Sequence, residues 1–138
     1  MGQINTGRVL LAGLAAGVVI DIGEGLSHAV IFASQMASMM EQMGVEIGGS
    51  QLVMYNVLGL AIGITVAWIY AAIRPRLEPG PMTGVCAGLV AWALWSLFHW
   101  VDMWIAGMAP LGLALSFTVY QAVEMSIAGL VAGMLYKE

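Results

Sequence analysis

Asp21, Glu24 and His28 stand in the stretch DIGEGLSH, inside a run that is otherwise apolar. Their i, i+3, i+7 spacing puts two carboxyls and an imidazole on one face of a helix. Such a trio can pass a proton, hold a metal ion or pair across to another helix. Glu124 lies in a distant apolar run, Asn56 in another, and His99 and Asp102 in a third. There they continue a helical stripe begun by Trp92 and Trp95.

The elements that must carry these groups are set by lipid. The chain has 138 residues, 61% of them hydrophobic, and a mean hydropathy of +0.92. A soluble domain of this length could not cover that much apolar surface. One domain, residues 1–138, is expected. About 20 apolar residues cross a bilayer as a helix, and four such stretches are predicted, near 9–32, 52–73, 82–104 and 113–136. The fold expected is all-α, a polytopic four-transmembrane-helix bundle. RPRLEPGP (74–81) separates the second and third spans, and its three prolines predict a reversal there. The first span has no small-residue cleavage site after it and is read as a retained anchor. Residues 26–43 contain no Pro or Gly, and Met36, Met39, Met40 and Met43 recur at helical spacing. This predicts an amphipathic continuation of the first helix, its methionines a greasy face or, as soft thioethers, a Cu(I) site.

Arg8, Arg74, Arg76 and Lys137 all fall on one side when the spans alternate, and the opposite loops hold no Lys or Arg. The positive-inside rule puts both termini in the cytoplasm. Tyr70 and Tyr136 are expected at the inner interface, and Tyr55, Trp100, Trp104 and Phe117 at the outer one. The net charge of −4 carries no basic cluster, which excludes nucleic acid as a partner. One cysteine, Cys86, excludes an internal disulfide and reads as a packing residue.

The halves look duplicated, with repeats near 1–76 and 77–138, each a helical hairpin. AGL recurs at 12–14 and 87–89, and YNVLG (55–59) is matched by YQAVE (120–124). Each span carries a GxxxG pair: Gly13/Gly17, Gly59/Gly63, Gly84/Gly88 and Gly129/Gly133. Small residues four apart let helices approach closely in lipid. The bundle is expected to be tight at the cytoplasmic end and looser outside.

With a rise of about 1.5 Å per residue, Asp21, Glu24 and Glu124 fall near mid-membrane, and His28, Asn56, His99 and Asp102 nearer the outer surface. A carboxylate facing lipid at mid-depth costs about 3 kcal/mol. The three acidic groups must therefore face one another, a cavity or a partner, and they cannot all stay ionised without a counter-charge. No Lys or Arg within the spans supplies one. The leading expectation is a non-catalytic membrane subunit whose polar groups fix its packing, and which self-associates or joins other membrane subunits. There is too little material outside the bilayer for a catalytic domain, and residues 105–115 form an apolar outer loop. The alternatives are a proton- or cation-coupled transporter or channel using Asp21, Glu24 and Glu124, and a redox subunit with haem on His28 and His99. A metal could use Glu24, His28, His99, Asp102 and Glu124, although no Glu-x-x-His pair is present. No cofactor is predicted.

WIYAAIRPRLEPGPMT (68–83), with GLVAGMLYKE (129–138), Glu24 and Glu124, resembles an uncharacterised family of small bacterial four-span integral membrane proteins. The resemblance covers the whole chain and implies the bacterial inner membrane. It implies no activity and no functional residues.

Overall fold

A computed structural model describes residues 4–137; residues 1–3 and 138 of the expected domain lie outside the described part. The fold is all-α. α1 (Thr6–Leu26) runs into a π-helical turn (Ser27–Ile31), and α2 (Ala33–Met43) follows. α3 (Gly49–Leu77) precedes α4 (Pro81–Trp92), which passes through a second π turn (Ala93–Leu97) into α5 (Phe98–Ile105). α6 (Leu111–Leu135) closes the chain. Four continuous apolar helices, Thr6–Ile31, Gly49–Leu77, Pro81–Ile105 and Leu111–Leu135, are long enough to cross a membrane. The chain is a four-helix bundle of multi-pass membrane type.

Caps and turns explain the boundaries. Asn5 Oδ1 accepts from the Arg8 amide at 3.1 Å, satisfying a free donor at the start of α1. Pro81 opens α4, where its missing N–H costs nothing. The second span was expected to stop near residue 73, ahead of the three prolines, yet α3 continues through Pro75 to Leu77. Only the last turn is involved, so one missing bond does not break the helix. The reversal falls at 78–80. There Thr83 Oγ1 donates to the Leu77 and Glu78 carbonyls (3.1 and 2.7 Å), and the Gly80 amide donates to Tyr70 Oη.

α1 packs most extensively on α3, and α4 on α6; the two pairs join through α1 against α6 and α3 against α4. At the end carrying Arg8 and Arg74 the seams are backbone to backbone. A Cβ on Gly13 or Gly17 would strike Ile64 or Leu60 of α3, and one on Gly63 would strike Gly13 and Gly17. In the second pair, a Cβ on Gly84, Gly88 or Gly129 would strike the facing carbonyls of Gly129, Met125 or Gly84. Around these seams lies a core of small residues: Ala12, Ala16, Ala67, Ala87, Ala128 and Ala132. The matching contacts pair Gly13 with Gly84, so the two AGL tripeptides stand one helical turn out of step.

At the other end a second core forms from Met36, Met39, Trp100, Ala109, Leu113, Ala114 and Phe117. The first helix does not continue unbroken as expected. Phe32 leaves helical geometry (φ −115°, ψ 23°), and α2 folds Met36 and Met39 onto α5 and α6. Four aromatics expected in interfacial belts are instead buried. Phe117 and Trp100 stack in this core (4.4 Å, 19°), and Tyr70 meets Tyr136 edge-on at 5.8 Å. The polar atoms of three of them are satisfied there: Trp100 Nε1 and the two tyrosine hydroxyls are hydrogen-bonded inside the protein.

Candidate functional site

Where α1 crosses α6, the polar groups of the first span meet those of the fourth. Glu24 Oε1 accepts from Gln121 Nε2 at 2.5 Å. Gln121 Oε1 in turn accepts from Trp100 Nε1 at 2.8 Å and from Ser96 Oγ. One turn further along α6, Glu124 turns its carboxyl onto the backbone of α1 at Gly23; a Cβ there would sit 2.6 Å from Glu124 Cδ. Tyr120 Oη donates to the Gly23 carbonyl at 2.8 Å, closing the same crossing.

Glu124 is 6% exposed, and neither of its carboxyl oxygens has a hydrogen-bond partner among the described residues. Its contact with Gly23 sets it against the stretch of α1 that carries Asp21 and Glu24. An ionised carboxylate so buried, with other acidic groups as its charged neighbours, would bear a large desolvation cost with nothing to offset it. Its chemistry calls for a proton or another cation. Glu24 and His28 are more open: their side chains are 34% and 40% exposed, with His28 Nδ1 at 3.3 Å from Glu24 Oε2. His28 Nδ1 also lies 2.9 Å from the Glu24 carbonyl, and Ser27 Oγ donates to that carbonyl. Phe117 packs against the imidazole at 5.2 Å.

Asp21 is half-buried and faces the other way round α1, towards α3, where the missing side chain of Gly59 leaves space for its carboxyl. Gly59 and Gly23 thus act alike, each clearing room for an acidic side chain from a neighbouring helix. Gly133 clears room for the Tyr70 ring.

Asn56, His99 and Asp102 are not brought to the crossing. Asn56 is exposed on α3 and donates to Leu52 of its own helix. His99 and Asp102 are exposed on α5. The stripe Trp92, Trp95, His99, Asp102 assumes an unbroken α-helix, and the π turn at 93–97 inserts one extra residue. Beyond it the inward face advances by one position, to Ser96, Trp100 and Met103. Trp92 lies before the shift and still points inward, its Nε1 donating to the Thr118 carbonyl at 2.9 Å.

Gln121, Ser96, Trp100, Ser27 and Tyr120 complete the site, and none of them was assigned to it from sequence. Gln121 was visible as the partner of Asn56 in the two matched pentapeptides. The metal candidates Glu24, His28, His99, Asp102 and Glu124 are divided between the α1–α6 crossing and the exposed side of α5. Among the described residues no three His, Cys, Asp or Glu side chains converge to hold a metal ion. His28 and His99, the pair considered for haem, are divided in the same way.

No family model, curated protein or solved structure matches the chain.

Proposed function

We propose that this chain is a proton-coupled membrane transporter or channel subunit, with Glu124 as its mid-membrane proton-binding group and Glu24 as the group nearer the surface. The observation that carries this reading is the Glu124 carboxyl, buried beside acidic neighbours with neither oxygen hydrogen-bonded. A proton neutralises such a group with no further ligands, whereas a metal cation needs several converging oxygens. Intramembrane ionisable residues mark proton and ion paths. Glu24 and His28 lead from Glu124 towards the surface that lacks basic residues. On the far side the glycine seams close the bundle. One-sided access of this kind suits a carrier resting in one state.

The distribution of Arg8, Arg74, Arg76 and Lys137 supports cytoplasmic termini, so that His28 faces outward; the bacterial inner membrane is what the family resemblance implies. An acid pulse outside proteoliposomes should acidify the lumen. Glu124→Gln should abolish this while the variant still inserts and folds; unchanged flux in that variant contradicts the reading.

A second reading, self-association, is favoured by one observation. Residues 49–58 of α3 are exposed on every side, including Leu52, Val53, Met54, Tyr55 and Val57. A second copy packed there would shield them. Native mass in mild detergent tests it, and a strict monomer contradicts it.

A further inference from the structure

We infer that His28 loads this site, taking an external proton at Nε2 and passing the one on Nδ1 to Glu24; the step rests on the proton reading above. The hydrogen-bond polarity around both residues carries the argument. Nδ1 of His28 faces the Glu24 carbonyl at 2.9 Å and Glu24 Oε2 at 3.3 Å. Ser27 Oγ lies 3.0 Å from the same nitrogen, but its own proton goes to the Glu24 carbonyl, so towards the ring it accepts. A carbonyl and a carboxylate only accept as well, so in the neutral ring Nδ1 bears the hydrogen. Nε2 then holds the free lone pair, and no described residue bonds to it.

The recipient is prepared from the other side. An indole N–H can only donate, so the Trp100 contact fixes the Gln121 amide with Oε1 towards Trp100 and Nε2 towards Glu24. Glu24 Oε1 thus accepts from Gln121, while Oε2 is left facing His28 Nδ1 at 3.3 Å, the distance a proton on that nitrogen would have to bridge. When a proton binds Nε2, the ring becomes imidazolium. The Nδ1–H bond breaks as an Oε2–H bond forms, leaving a neutral ring protonated on Nε2 and a neutral Glu24. One proton enters and one has moved inward; exchange with water returns the neutral ring to its Nδ1–H form, and Glu24 is ionised again once its proton passes on to Glu124. Trp100 and Gln121 are positioning residues in this scheme. The charged group facing His28 is Glu24 on its own helix; α6 presents Phe117.

Two readouts test the step on the full chain in lipid. Nitrogen NMR of histidine-labelled protein, with His99→Gln to leave one signal, should show neutral His28 protonated on Nδ1. A neutral ring protonated on Nε2 would overturn the relay whatever the flux. In proteoliposomes His28→Gln should slow proton entry by about a hundredfold, with partial recovery on adding external imidazole, while His99→Gln leaves entry unchanged. An active wild type with undiminished His28→Gln entry removes the relay and leaves the proton reading standing. A silent wild type removes both.

Discussion

Asn56 and Gln121 hold the same place in two similar pentapeptides, YNVLG and YQAVE, and end in opposite surroundings. Asn56 is exposed on α3 and bonds only to its own helix. Gln121 is buried on α6 and joins Glu24, Trp100 and Ser96. Tyr55 and Tyr120 divide in the same way: the first is 57% exposed, the second donates to α1. The two hairpins share their glycine seams and differ beyond them. At the π turn α1 gives way to α2, whose Met36 and Met39 pack with residues of α5 and α6, while residues 49–58 of α3 are exposed. The polar site therefore belongs to the interface between hairpins. It lies beyond the glycine seams that the two hairpins have in common.

The seams are the feature the hairpins share, so breaking either should cost most. Gly17→Val and Gly88→Val drive a side chain into the backbone at Leu60 and Met125. Each should destabilise by about 3 kcal/mol or more, at the upper end for overpacking. Gly25→Val, at a site with open space around it, should stay within about 0.5 kcal/mol. Thermal unfolding in detergent measures all three, and equal losses at Gly88 and Gly25 would deny the seam.

The contrast between the pentapeptides is tested by removing each amide. Gln121→Leu strands Trp100 Nε1 and Ser96 Oγ and frees Glu24 from a donor. It should cost about 1–3 kcal/mol, the range for leaving buried polar groups unsatisfied. Asn56→Leu should change stability by no more than about 0.5 kcal/mol. Similar losses at the two positions would mean that α3 and α6 offer their amides equivalent surroundings.

The spans were legible in the sequence because length and hydropathy alone decide whether a helix can cross lipid. Glu24 and Glu124 were legible as residues that must be sheltered, since the cost of exposing them is large. The face of the third span was not legible beyond Trp92. A π turn changes the register by one residue, and nothing in ALWSL announces it. For the same reason His99 was weighed as a ligand and its neighbour Trp100 was assigned to an aromatic belt. Gly23 was passed over because it belongs to no GxxxG pair; its partner is a carboxyl and not a helix backbone. Gln121 could have been found by asking which neutral side chain lies one turn from Glu124 and can donate to an acid.

The most direct measurement is the infrared spectrum of the protein in lipid at neutral pH, compared with that of Glu124→Gln. If the buried carboxyl holds a proton, the wild type shows a carboxylic acid C=O band that the variant lacks. A wild type without that band, or a variant that retains it in full, would mean that Glu124 is not the protonated group, and the proposed site would fail with it.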